Sequence, residues 1–193
     1  GEKRMSDLVT VILAAGKGTR MKSSLPKVLH RVGGKSMLQH VLDAASKAGA
    51  KRNIVVVGFG GEQVKEAIGD QAEFVVQAEQ LGTGHAVQQT ASLLQGETGT
   101  VMVLCGDTPL LTGELLKKLY DAHKEAGAKA TVLTAIMPDA TGYGRIIRTA
   151  TGTVEKIVEH KDATEAERKV QEVNSGIYCF EAQDLFQALS EVT

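Results

Sequence analysis

Tryptophan is absent from the 193 residues, and aromatic side chains make up only 4% of them. With 42% hydrophobic and 23% charged residues, the composition is still that of an ordinary soluble protein, long enough for one domain with a substantial core. Net charge is nearly absent too, at −1, which removes the global basic field that nucleic-acid binding would need. The two cysteines, Cys105 and Cys179, are too few for a disulfide framework and sit in apolar, β-branched surroundings. They are expected to pack as small hydrophobic residues. No apolar stretch approaches the length of a membrane span, and the opening "GEKRMSD" is not followed by a secretory pattern. A cytoplasmic enzyme or binding domain is therefore expected. Internal repeats and low-complexity linkers are also missing.

What is present is an alternation. "LVTVIL" (8–13), "NIVVVG" (53–58), "EFVVQ" (73–77), "TVMVLC" (100–105) and "ATVLTAIM" (130–137) read as strands buried on both faces. Between them "MLQHVLDAASKAG", "GEQVKEAIG", "GHAVQQTASLL" and "TGELLKKLYDAHKEAG" carry apolar residues at helical spacing, and three of the four end in glycine. This cadence predicts a parallel sheet covered by helices on both sides. After residue 138 the pattern changes. "GRIIRT" and "TVEKIVEH" around "ATG" predict an antiparallel hairpin, with Asp162 and Glu165 as the capping box of a short helix. "EVNSGIYCF" then reads as a strand and "EAQDLFQALSEV" as a last helix. The expected whole is one α/β domain with an appended β-rich lobe.

"VILAAGKGTRM" (11–21) ends a strand on two glycines and basic residues. The third glycine of a dinucleotide fingerprint is missing, and so is the Gly-Lys-Ser/Thr that closes a P-loop. No helix is expected before about residue 36, which argues against anion binding at a helix N-terminus. A plain glycine turn is one reading. The other rests on a further absence, since Leu8 to Leu42 contains no acidic residue but six cations: Lys17, Arg20, Lys22, Lys27, Arg31 and Lys35. Solvated surfaces intersperse the two signs. A glycine loop offering backbone N–H groups beside Arg and Lys suits a triphosphate, and polyphosphate is the better reading.

Three further stretches carry candidate chemistry. In "LCGDTPLL" (104–111) a buried strand ends at Gly106-Asp107; Asp107 is either a turn residue or a hard oxygen ligand for Mg²⁺ facing the phosphates. "QAEQLGTGHA" (77–86) offers the amides of Gln77 and Gln80 and the close backbone approach of Gly82, Thr83 and Gly84. It is either a polar connection or a reader of a nucleobase edge. His85 opens a helix there and is expected to cap or pack, with no nucleophilic triad in reach. "GYGR" (142–145), "EH" (159–160) and "NSG" (174–176) are individually weak. Gly144, Glu159 and Asn174 are a bend, a strand-end charge and a bulge, or hydrogen-bonding groups for sugar hydroxyls and an acetamido group.

Together "LAAGKGTRM", "LPKVLH", "QAEQLGTGHA", "GDTPL", "GYGRI", "IVEHKDA" and "NSG", in this order, resemble the N-terminal domain of the bacterial N-acetylglucosamine-1-phosphate uridyltransferases. "LAAGKGTRM" alone marks the wider nucleotidyltransferase family, whereas the ordered set is more specific and runs through nearly the whole chain. The resemblance implies a Rossmann-like, mostly parallel α/β sheet of the nucleotide-diphospho-sugar transferase type, with a nucleotide-binding core over 8–137 and a β-rich sugar-binding lobe with a final helix over 138–193. It implies that UTP and N-acetylglucosamine 1-phosphate are joined to UDP-N-acetylglucosamine and pyrophosphate, with Mg²⁺ as cofactor. By position, Leu13, Ala14, Ala15 and Gly16 surround the nucleotide, and Arg20 and Lys27 meet its phosphates. Gln77, Gly82 and Thr83 read uracil, Cys105 and Gly106 line the pocket, and Asp107 holds the metal. Gly144, Glu159 and Asn174 grip the sugar. The family's second metal ligand, an asparagine downstream of "NSG", and its acetyltransferase β-helix, which bears the trimer contacts, lie beyond Thr193. The expectation is a domain truncated at its C-terminal end and monomeric by itself. The alternatives are a transferase for another sugar phosphate and a nucleotide-sugar-binding module with little turnover.

Overall fold

The computed structural model describes residues 7–15, 25–58, 61–79, 81–107 and 112–185. In chain order it contains β1 (Leu8–Ala14), β2 (Arg31–Val32), β3 (Lys35–Ser36), α1 (Met37–Lys47), β4 (Arg52–Val57), α2 (Gly61–Ile68) and β5 (Glu73–Val76). There follow α3 (Thr83–Gln88), α4 (Ala91–Leu94), β6 (Thr100–Cys105), α5 (Gly113–Ala126) and β7 (Ala130–Ile136). The last elements are β8 (Arg145–Arg148), β9 (Val154–Val158), α6 (Glu165–Arg168) and β10 (Glu172–Glu181).

β1, β4, β5 and β6 are the expected parallel core, in the order β5-β4-β1-β6. Residues of β1, β4 and β6 alternate between two buried layers, as a two-sided strand requires. β5 and β7, also expected to be buried on both faces, are only part-buried, with Val76 55% and Ile136 70% exposed, because each pairs on one side alone. Ile12, Val55, Val57, Met102 and Leu104 meet Leu38, Val41, Leu42, Val64 and Leu116 from α1, α2 and α5. On the other face Val9, Val11, Ile54, Val56, Val101 and Val103 meet Ala86, Val87 and Leu94 from α3 and α4. α1 and α5 start on side-chain caps: Ser36 accepts the Gln39 N–H at 3.0 Å and Thr112 that of Leu115 at 3.1 Å. α5 stops at Gly127 in the left-handed conformation, φ 63°.

Three further expectations are corrected. The strand expected at 130–137 is not a further parallel one, because β7 runs antiparallel to β10. β10 in turn inserts antiparallel beside β6, pairing Tyr178 with Val103 and Glu181 with Thr100. The hairpin β8-β9 forms as expected but joins the same sheet through β10, giving the order β6-β10-β8-β9. The β-rich part is thus continuous with the main sheet. Second, "GHAVQQTASLL" breaks at Gln89-Thr90 into the short helices α3 and α4. The fully buried Thr90 turns its hydroxyl onto the Val87 carbonyl at 2.5 Å, a local bond that competes with helix propagation. Third, the capping box lies two residues later than expected. Thr164 and Glu167 bond each other's backbone N–H at 3.2 and 2.9 Å, while Asp162 ends a 3-10 turn. In addition β2 and β3 form a hairpin across Gly33-Gly34, for which strands of two residues give no periodic signal. The last helix is described only as a 3-10 turn over Ala182–Asp184, and its continuation over 186–193 lies outside the described residues.

Candidate active site

The carboxyl ends of parallel strands leave backbone groups pointing outward at one edge of the sheet, where open α/β folds bind ligands. Here that edge is formed by Leu13–Ala15 at the end of β1, Val57-Gly58 at the end of β4, Gln77 just after β5 and Cys105–Asp107 at the end of β6. Gly106 closes it tightly: its N–H bonds the Leu13 carbonyl at 3.0 Å. A Cβ on Gly106 would lie 3.3 Å from both that oxygen and Val28 Cγ1, so a side chain there would push the two strand ends apart. Lys27 reaches the same point from a 3-10 turn, Lys27–Leu29, anchored by buried Val28 and Leu29. Its Nζ stands 3.1 Å from Asp107 Oδ2, with the two side chains 52% and 38% exposed. Asp107 therefore does not cap the following helix, which Thr112 caps. Gly16, expected beside the nucleotide, Arg20, expected on its phosphates, Lys17 and Lys22 of the basic segment, and Gln80 lie outside the described residues.

Gln77 is buried, held by its N–H on the Val57 carbonyl at 2.8 Å. Its carboxamide Nε2 stands 2.9 Å from His85 Nδ1 and 3.4 Å from the Gly82 carbonyl. Gly82 and Thr83 are the N-cap and first residue of α3, so amide, glycine and threonine come together as one cluster. His85 packs and hydrogen-bonds, as expected, but specifically against Gln77, a pairing of two residues eight apart that no sequence pattern announces.

On the far side of Asp107, β10 supplies the "NSG" motif. The register with β7 slips between Asn174 and Ile177, forming a bulge. Two side chains build it: Asn174 Oδ1 accepts the Gly176 N–H at 2.9 Å, and Ser175 Oγ accepts the Ile177 N–H at 3.2 Å and donates to the Leu133 carbonyl at 2.5 Å. Gly176 adopts φ 80°, a conformation that a Cβ penalises, and a Cβ there would lie 3.7 Å from Cys105 Sγ. The bulge thus abuts the end of β6. Asn174 also donates its N–H to the Gly144 carbonyl at 2.9 Å, and a Cβ on Gly144 would sit 3.4 Å from Glu159 Oε1. Gly144, Glu159 and Asn174, spread over thirty positions of sequence, are neighbours.

The surroundings of Cys105 disfavour the thiolate that a nucleophile needs. Burial pushes its thiol up, and the Asp107 charge adds to the effect. Cys179 lies in the core as expected, its thiol pushed up to about 12 by burial. Two residues that the sequence did not single out support the site. Arg145, only 2% exposed, forks its guanidinium onto the carbonyls of Tyr143, Val170 and Arg168 at 2.5, 3.1 and 3.2 Å, clamping the turn before Gly144. Tyr178 receives the Asn174 Nδ2 hydrogen bond at 2.5 Å. Among the described residues there is no group of three His, Cys, Asp or Glu that could enclose a metal, and no helix is long and apolar enough to cross a membrane.

A parallel core whose carboxyl edge sets a lysine, Lys27, against an aspartate, Asp107, suits the class of nucleotidyl-transfer domains. The chain belongs to the MobA-like NTP transferase domain family, which its residues 10–170 match. Among curated proteins it is similar to the bifunctional protein GlmU of Geobacillus thermodenitrificans, with 61% identity over 183 residues, 95% of this chain and 40% of that protein. The bifunctional protein GlmU of Bacillus cereus is 58% identical over 189 residues, and that of Bacillus thuringiensis 57%; each alignment takes in 98% of this chain and 41% of the relative. The chain thus spans about two fifths of the length of these relatives.

Proposed function

We propose that this chain is a uridyltransferase domain that joins UTP and N-acetylglucosamine 1-phosphate, giving UDP-N-acetylglucosamine and pyrophosphate. The observation that carries the reading is the meeting of two clusters at one strand end. Lys27, Gly106 and Asp107 adjoin the nucleotide edge, and the Gly144–Glu159–Asn174 group reaches the same strand end through Gly176 against Cys105. Two substrates bound in these clusters would meet at Asp107. The identities of uracil and the acetamido sugar rest on the ordered motifs of the family resemblance, and the 8–137 and 138–193 parts take the nucleotide and the sugar respectively.

In the reaction a sugar-phosphate oxygen bonds to the α-phosphorus of UTP, and the bond from that phosphorus to the bridging oxygen breaks, pyrophosphate leaving with the electron pair. No covalent intermediate on the protein is required. Gln77, Gly82 and Thr83 orient the base, Lys27 and Arg20 balance phosphate charge, and Gly144, Glu159 and Asn174 hold the sugar so that attack is in line. The donors at Asp107 fit Mg²⁺, which needs only one or two carboxylates and keeps its waters and phosphate oxygens: the carboxylate is part-exposed and its present partner is a displaceable lysine. Bound there, the ion would neutralise charge on the reacting phosphates. In longer proteins of this kind further ligands and subunit contacts would come from beyond this segment.

Pyrophosphate release from UTP, CTP or ATP with a panel of sugar 1-phosphates, with and without Mg²⁺, tests the reading. Turnover only with UTP and N-acetylglucosamine 1-phosphate is expected. Preference for another pair assigns another transferase, and tight binding of UDP-N-acetylglucosamine without turnover assigns a binding module.

A further inference from the structure

We infer that Tyr178 is a positioning residue for the sugar half of this site: its phenol sets the direction of the Asn174 carboxamide. The inference rests on the function proposed above. A carboxamide flips at little cost unless both of its ends are held, and its two ends offer a ligand opposite chemistry. In Asn174 both are held. Oδ1 accepts the Gly176 N–H at 2.9 Å and Nδ2 donates to the Tyr178 hydroxyl at 2.5 Å. One N–H and one oxygen lone pair of the carboxamide then remain, in a fixed orientation, on a residue whose backbone N–H bonds the Gly144 carbonyl. That pairing suits the carbonyl and N–H of an acetamido group or adjacent hydroxyls.

The bulge makes the contact. Residues four apart on a regular strand share a face but stand about 13 Å apart along it, too far for a short amide to meet a phenol without distortion. The slip between Asn174 and Ile177, with Gly176 at φ 80°, shortens that path. The Tyr178 ring is fixed in turn by stacking on Phe180, whose centroid lies 5.9 Å away and which is fully buried. A rigid core side chain thus carries its order outward to a polar group at the site, and phenylalanine at 178 would keep the stack while losing the hydroxyl.

Tyr178→Phe, Asn174→Ala and the double variant test this. Tyr178→Phe is expected to raise KM for N-acetylglucosamine 1-phosphate by about three- to tenfold, the range of one net hydrogen bond. KM for UTP and the melting temperature should stay close to wild type. On the Asn174→Ala background the same change should add less than twofold, since the group it orients is gone. The Asn174 side-chain amide pair, assigned in a ¹⁵N correlation spectrum by its loss in Asn174→Ala, should shift and exchange faster in Tyr178→Phe. An unmoved amide pair, equal effects on both substrates, or independent multiplying effects would overturn the inference. If the wild-type protein does not use the sugar phosphate at all, the proposed function fails instead, and the amide resonance still decides whether Tyr178 orients Asn174.

Discussion

Replacing Lys27 by alanine separates two roles that a lysine beside Asp107 could have. As a folding contact it is weak. The Nζ–Oδ2 distance is 3.1 Å, but the side chains are 52% and 38% exposed, so water and salt screen the pair. Exposed pairs of this kind contribute under about 1 kcal/mol, which in a domain of this size moves the melting temperature by no more than about 4 °C. The turn itself is anchored by Val28 and Leu29, both buried and untouched by the change. As a phosphate contact the same ammonium is worth about 1.5–3 kcal/mol, because a charge-assisted bond to a substrate is lost outright. Lys27→Ala should therefore lower kcat/KM for UTP by about one to two decades while folding is nearly unchanged. The ion pair adds a second expectation: Lys27 competes with a cation for Asp107, so Lys27→Ala should bind Mn²⁺ alone more tightly, read by water-proton relaxation, and Asp107→Asn should lose that binding. Thermal melts beside pyrophosphate release give the rest. A variant that melts far lower yet turns over UTP normally would make Lys27 a structural residue and refute the reasoning.

Gln77→Ala and Thr83→Val should relax discrimination among pyrimidine triphosphates, and His85→Ala should do the same more weakly by releasing the Gln77 amide; unchanged UTP:CTP ratios of kcat/KM in all three would remove this cluster from base reading. Glu172 forks onto Arg148 at 2.6 and 2.8 Å, and this guanidinium holds its carboxyl down to about 2 from the ordinary 4.5. Its stabilising effect is present above pH 4.5 and is lost as pH falls through about 2, so urea midpoints between pH 5 and 2 should fall more steeply in wild type than in Glu172→Gln; parallel curves would count against it. His123 is fully buried, with Nδ1 2.6 Å from Thr131 Oγ1 and Nε2 2.9 Å from Glu181 Oε1. His123→Leu should cost about 1–3 kcal/mol in urea unfolding, softened because Lys124 and Thr100 still reach Glu181, and KM for either substrate should not move.

How far the site was legible depended on how local its parts are. The Gly-Gly turn of "RVGGKS" is a hairpin signal that periodicity reading passed over, because strands of two residues show no period. The capping box was misplaced by two residues because Asp162-x-x-Glu165 and Thr164-x-x-Glu167 overlap in one polar stretch; the chain takes the pair whose threonine is free of the preceding 3-10 turn. "NSG" was legible both as a bulge and as a polar site element, and it is a bulge whose side chains leave Asn174 beside Gly144. Tyr178 went unread, since nothing in "EVNSGIYCF" says that a strand tyrosine folds back onto an asparagine four residues earlier.

By itself the sequence determined what neighbouring residues decide: the four parallel strands, the helices that follow them, the glycine stops and the antiparallel hairpin of the last third. Each comes from side-chain period, turn chemistry and capping, which act within a few residues. The tertiary structure alone decided partnership. β7 reads locally like a parallel strand, and only its pairing with β10, which itself lies antiparallel beside β6, makes it antiparallel and draws the β-rich part into the main sheet. Lys27 and Asp107, Gln77 and His85, and Gly144, Glu159 and Asn174 are likewise brought together by the sheet order. Such contacts require loop closure that is repaid only when the whole sheet forms, so no local pattern encodes them.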